Sequence, residues 1–177
     1  MTQHLKRNQQ GAALIVGLII LIILTILGLT AMKTSILQEK MSGTNMDQSL
    51  AFQAAELTLR DAEAHIYTDL TSNSGFTSAC TNGLCLPSTN STFIWESLSW
   101  SASNTITYGA FSGASAISGV AAQPTYIIEV LPDMPPPLGN GVGSKAINTG
   151  TPYRVTAIAV GRQPGTKVML QSVYYKP

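Results

Sequence analysis

The sequence predicts an α+β protein, a long N-terminal hydrophobic helix packed on a small antiparallel β-sheet headgroup. Three observations carry this. Gly11 to Met32 is an unbroken apolar run without a charge. Phe52, Ala55, Leu59, Ala62 and Ile66 recur at helical spacing. Near the C-terminus, Thr125–Leu131 is rich in β-branched and aromatic residues, and Tyr153–Arg162 and Lys167–Tyr175 alternate faces.

The first element follows a polar head carrying Lys6 and Arg7, and the next charge is Lys33. Ala12 through Met32 is 21 residues, against the roughly 20 that cross a bilayer core as a helix. A charge at mid-membrane costs about 3 kcal/mol on insertion scales, so its absence is expected of a spanning segment. Lys6 and Arg7 place their flank in the cytoplasm and the remainder outside. The run is too long for an ordinary secretory signal, and residues 33–40 continue it as helix. From the apolar run alone, a plain single-pass envelope anchor stays open.

The junction Gln9-Gln10-Gly11, followed directly by Ala12-Ala13-Leu14-Ile15-Val16, resembles the class III signal of type IV prepilins. The resemblance implies cleavage on the cytoplasmic side after Gly11, N-methylation of Ala12, and retention of the apolar run as a polymerisation helix. Most pilins have a glutamate as the fifth mature residue, where this chain has Val16. In that family the carboxylate neutralises a neighbour's N-terminal ammonium inside an apolar bundle, where an unpaired charge is expensive. A subunit without it suits a tip or an initiating complex.

Composition sets further bounds. The chain has 177 residues, net charge +1 and 11% charged residues. Without leader and apolar helix, roughly 140 residues remain, enough for one modest core. The near-neutral charge argues against nucleic-acid binding, including that of a DNA-uptake pilin. Cys80 and Cys85 are the only cysteines, and in an exported chain a close pair reads as a disulfide. So short a loop gains about 2 kcal/mol by chain entropy. The only histidines, His4 and His65, are remote from the cysteines, so a metal reading lacks ligands.

Between the apolar run and the stripe, Gly28 and Gly43 are weak points, each costing up to about 1 kcal/mol against alanine in a helix. Two readings stand: a helix broken at Gly43 and restarted on Asn45 or Asp47, or one long helix with a softened segment. From Asp47 to Tyr67 the buried stripe Phe52, Ala55, Leu59, Ala62 and Ile66 is predicted to face the sheet, widened by Leu50, Ala54 and Leu57. Glu56 and Arg60 form a favourable i,i+4 pair, and Glu56, Asp61 and Glu63 read as a solvated face rather than acid–base groups.

The block LeuGlnGluLysMetSerGly (37–43) with AlaPheGlnAlaAlaGluLeuThrLeuArgAspAlaGlu (51–63) resembles the N-terminal region of PilX-type minor pilins. That family also tends to have a non-acidic residue where Val16 sits. The likeness covers Gln9 to Glu63, about a third of the chain.

Residues 71–122 are rich in Ser, Thr, Asn, Gly and Ala and read as a loop-rich connection carrying the disulfide and one or two short strands. Trp95 and Trp100 read as core or edge packing, and Asn90-Ser91-Thr92 as a chance sequon. Thr125–Leu131 is a strand stopped by Pro132, and 132–152 is a Pro/Gly loop. Tyr153–Arg162 and Lys167–Tyr175 form a hairpin around Gln-Pro-Gly-Thr, with Pro164-Gly165 at the centre of a type II turn. The strand TyrArgValThrAlaIleAlaValGlyArg is similar to the penultimate strand of pilins.

The predicted organisation is therefore a cleaved leader (1–11), a long helix (12–70, spanning at 12–32 and amphipathic at 33–70) and a headgroup (71–177). No nucleophile–base pair, phosphate loop, cofactor motif or metal cluster points to an enzyme. The resemblance implies a minor pilin that primes type IV pilus assembly and sits near the tip, supporting adhesion and motility. Its implied partners are other minor pilins, the major pilin, the prepilin peptidase, an inner-membrane assembly platform and a tip adhesin. Its implied location is the inner membrane, headgroup in the periplasm, and then the pilus. The tip pseudopilin of a type II secretion system also lacks the acidic residue, but usually has a larger headgroup with calcium sites.

Overall fold

A computed structural model describes residues 11–70, 74–88, 92–132 and 150–176. The leader ahead of Gly11, residues Asn90 and Ser91 of the sequon and most of the 132–152 loop lie outside them. The chain divides into two units, Met1–Asn45 and Met46–Pro177.

Helix α1 (Ala12–Thr68) runs through both without a break at Gly28 or Gly43. In the first unit, every residue from Gly11 to Asn45 is exposed. There the hydroxyls of Thr25, Thr30 and Thr34 donate to the carbonyls of Ile22, Ile26 and Thr30, at 2.7, 2.6 and 3.0 Å. These polar groups are thus satisfied within the helix, as a segment surrounded by hydrocarbon requires.

In the second unit, residues 46–68 of α1 lie on one face of a mixed sheet. Its long strands are β3 (Thr125–Val130), β4 (Thr151–Val160) and β5 (Lys167–Lys176), paired antiparallel in sequence order. Two short strands share the outer side of β3. They are β1 (Leu84–Cys85), which runs parallel to it, and β2 (Ile106–Thr107), which is antiparallel. One parallel strand thus joins an otherwise antiparallel sheet. A short helix, α2 (Ile94–Ser97), lies between β1 and β2.

Period-two alternation sorts the side chains. Tyr126, Ile128, Val130, Tyr153, Val155 and Ala157 join Ala62 and Ile66 of α1 in the main core. Ala159 meets Ala54 and Ala55 nearer the helix start. On the opposite face Ile127 is covered by Cys80, Cys85 and Ile94, flanked by Trp95, Leu98 and Trp100. Helix, sheet and the cover made by Cys80, Ile94, Trp95, Leu98 and Trp100 therefore form three layers.

Two expectations are corrected here. Phe52 does not pack on the sheet and is 46% exposed. The buried face of α1 is Ala51, Ala54, Ala55, Thr58, Asp61, Ala62, His65 and Ile66. Small side chains let the helix approach the bulky sheet residues closely, and Phe52, one residue past Ala51, is rotated about 100° away. The β4–β5 turn has its expected bond, Thr166 N–H to the Gln163 carbonyl at 3.0 Å, but Gly165 lacks the positive φ of a type II turn.

Candidate functional site

The predicted site residues fall into separate places. Gly11 is the first described residue and Ala12 opens α1. Val16 sits one turn further on, 54% exposed among Leu14, Ile15 and Ile19, which are also exposed. Ala55, Ala62 and Ile66 are buried against the sheet, and Leu59 is partly buried beside them. Cys80 and Cys85 are joined by a disulfide. It closes a tight turn in which Cys80 and Asn82 take left-handed backbone angles, φ 57° and 53°.

The first candidate surface is the apolar part of α1. Among the described residues it is the one helix long and apolar enough to cross a membrane. Between Ala12 and Met32 it offers aliphatic surface on every side, with no charge and no free hydroxyl. Such a surface cannot remain in water, because each large aliphatic side chain left exposed forgoes about 1.5–3 kcal/mol of burial. Lipid or other apolar helices must cover it.

The second unit is fastened by polar contacts that hydropathy alone did not disclose. Asp61, read as part of a solvated face, is buried and accepts the Gly109 N–H at 2.9 Å. Gly109 is needed there: its φ is +79°, and a Cβ would run into the Ala114 carbonyl oxygen. Glu63 accepts the Ser172 hydroxyl at 3.1 Å, and Glu56 stays exposed. Asp47 accepts N–H groups from the β4–β5 turn, at Arg162 and Gln163, and bonds Thr166. The Thr166 hydrogen bond, chiefly, holds its carboxyl below the usual carboxylate value. At the other end of the helix, Lys176 donates to the carbonyls of Ile66, Tyr67 and Leu70 at 2.7, 3.0 and 2.6 Å. This cation satisfies carbonyls left without helical partners and sits at the negative end of the helix dipole.

On the far face of the sheet, Glu129 is buried and meets Arg154 across the β3–β4 pair at 3.2 Å. The Arg154 guanidinium lies 4.9 Å from the centroid of the Trp95 ring, which stacks on Phe93. Burial pushes the Glu129 carboxyl up, opposed by Arg154 and by a backbone bond from Ser88. This array ties α2 and the disulfide segment to the sheet. Neither partner carried a sequence signal, since register across 25 residues appears only once the strands pair.

His65 is buried under Phe111, ring centroids 3.5 Å apart, with its Nδ1 3.2 Å from the Tyr126 hydroxyl. Desolvation lowers the His65 pKa, against the attraction of Asp69 and Asp61. A histidine held neutral in the fold contributes stability that is complete above its unfolded value near 6.5. That contribution is lost as pH falls through this value, because the unfolded chain takes up the proton first. We expect thermal unfolding of the full chain in detergent to show this acid-side loss, and His65→Asn to remove it from the difference between the two pH profiles.

A groove of about 660 Å³ beside the disulfide is lined by Ser78, Leu86, Ser88, Ile94, Leu98 and Asn104, among others, with no titratable side chain. Among the described residues no group of three or more His, Cys, Asp or Glu is placed to hold a metal ion.

Comparison with known families supplies the context. The family described as Type IV pilus assembly protein PilX C-term matches residues 81–176, more than half of the chain. PilX N-terminal matches residues 10–60. No curated protein and no solved structure matches.

Proposed function

The chain belongs to the PilX family of type IV pilus assembly proteins, and on that premise we propose that it is a minor pilin whose apolar helix serves first as membrane anchor and then as assembly surface. The observation that carries this reading is the bare aliphatic surface of Ala12–Met32, which needs lipid or neighbouring helices around it. The prepilin peptidase cuts after Gly11, and Ala12 is then N-methylated. The processed helix moves from the inner membrane into a bundle with other minor pilins and the major pilin, at an inner-membrane assembly platform. The second unit faces the periplasm before assembly and the cell surface after it.

Val16 favours a place near the tip. Without a carboxylate there, the subunit cannot neutralise the ammonium of a neighbour inside the bundle, so it fits where that neighbour is missing. From this position it would prime assembly, support pilus-dependent adhesion and motility, and meet a tip adhesin.

Mass spectrometry of the mature N-terminus from piliated cells tests the reading. An N-methylated Ala12 is the expected result, and an intact Met1–Gly11 segment overturns it. Replacing the small residue at the cut, Gly11→Leu, is expected to leave the precursor unprocessed and to abolish surface pili.

A further inference from the structure

The disulfide-closed turn reads Cys-Thr-Asn-Gly-Leu-Cys, which places Asn82-Gly83 inside the loop. Asparagine before glycine is open to self-modification. The glycine nitrogen can attack the side-chain amide carbon, because no Cβ on the glycine hinders the approach. Asn82 is exposed, so its amide is in contact with water. What remains to decide the reaction is backbone geometry.

That geometry is adverse in the closed turn. Asn82 is left-handed, with φ 53° and ψ 34°. N and Cβ stand about 120° apart around the tetrahedral Cα, so at ψ 34° the Cβ lies about 155° from the Gly83 nitrogen, on the far side of the Cα–C bond. Closure of a five-membered ring needs that angle near zero. Intramolecular attack is fast only where the reacting atoms start close and aligned, and here they face apart. Rotating them together would break the 3.0 Å bond from the Gly83 N–H to the Cys80 carbonyl. It would also pull buried Gly83 away from Ile106, against which a Cβ would clash at 2.6 Å. Asn82 cannot turn instead, since its own N–H is tied to the Ser103 carbonyl at 3.0 Å. The cross-link binds both ends of this turn, with Cys85 already in register with Glu129 of β3.

We propose that Asn82 is a deamidation site gated by the Cys80–Cys85 disulfide, shut in the oxidised chain and open until the disulfide forms. In the open turn the Gly83 nitrogen bonds to Cγ of Asn82, and the side-chain nitrogen leaves as ammonia, taking the Gly83 proton. Water then opens the cyclic imide. Attack at Cγ gives aspartate, and attack at the main-chain carbon gives isoaspartate; nothing is oxidised or reduced. Isoaspartate lengthens the main chain by one carbon where Gly83 must fit beside Ile106, so the turn cannot close again as before. Chains that linger without the cross-link are thereby marked permanently. This inference stands on the turn and is independent of the pilus reading.

The test uses the full chain in detergent and mildly alkaline buffer, with the disulfide intact, reduced by dithiothreitol, or removed by Cys80→Ala with Cys85→Ala. Peptide mass spectrometry follows conversion at Asn82 and at Asn140, the other asparagine that precedes a glycine, which lies outside the loop. Asn82 is expected to convert about tenfold faster in both opened forms than in the oxidised chain, a rise that Asn140 does not share. The turn is open in those forms whether or not the rest of the second unit stays folded, so the readout survives a destabilised variant. Equal rates at Asn82 with and without the disulfide overturn the proposal. So does an acceleration at Asn140 as large as that at Asn82.

Discussion

Arg154→Met is expected to cost the second unit about 3 kcal/mol, the low end of what removing one partner of a buried ion pair costs. Arg154 is itself partly exposed, whereas Glu129 is nearly sealed from water, so the substitution strands a carboxylate between the sheet and the disulfide segment. It also removes the cation over Trp95, a contribution of about 0.5–1 kcal/mol at such sites. The double substitution with Glu129→Gln should recover most of the loss, because an amide needs no counter-charge. The pH dependence follows from the raised Glu129 carboxyl. An acid whose folded pKa lies above its unfolded value contributes most at low pH and loses that contribution as pH rises through the unfolded value. Without Arg154 the carboxyl is pushed further up, so the deficit of the variant should shrink on acidification toward about pH 4.5. Denaturant unfolding of the full chain in detergent at two pH values measures both effects. A deficit that is the same at both pH values, or that Glu129→Gln leaves untouched, would show that the guanidinium acts by packing alone.

Gly161→Val is expected to lower stability by about 3 kcal/mol, the upper part of the range for overfilled cores. Gly161 is buried where β4 ends, its N–H bonded to the Thr166 carbonyl and its own carbonyl accepting the Ala121 N–H. A Cβ at this position would lie 2.8 Å from the backbone oxygen of Asp47 and 2.7 Å from its Cγ. The helix backbone cannot yield as a side-chain tip does, so the β4–β5 turn must lift and the bonds from Asp47 to the turn must break. Asp47→Ala in the same chain clears the carboxyl but leaves the backbone oxygen, so it should rescue little. Full rescue by Asp47→Ala would show that only the side chain was in the way. The thermal midpoints of the three variants decide between these outcomes.

The long strands were legible because their signal is local. Residues 125–130 show as a short run rich in β-branched and aromatic side chains, buried on both faces, and 153–160 and 167–175 show by alternation. The disulfide and the apolar run were legible for the same reason, each being a short-range pattern. Phe52 was misjudged because periodicity weighs hydrophobicity, whereas the helix chose its buried face by size: Ala51, Ala54 and Ala55 admit the sheet where a phenyl ring would hold it off. Asp61 and Glu129 are charged residues that hydropathy assigns to solvent. Their partners, Gly109 and Arg154, lie 48 and 25 residues away and meet them only in the folded chain. The parallel strand β1 is two residues long, too short for any periodic signal.

The grip of Lys176 on the end of α1 has a bearing on how the protein matures. Helix α1 leaves the ribosome before every other element described, and the ammonium that closes its C-terminal turn leaves after all of them. Until then the carbonyls of Ile66, Tyr67 and Leu70 must make do with water, and β4 lacks its outer neighbour. Final closure thus joins the two sequence extremes of the second unit, a slow kind of step in folding. The helix is committed early, and its fastening waits on β5, the last of the described elements.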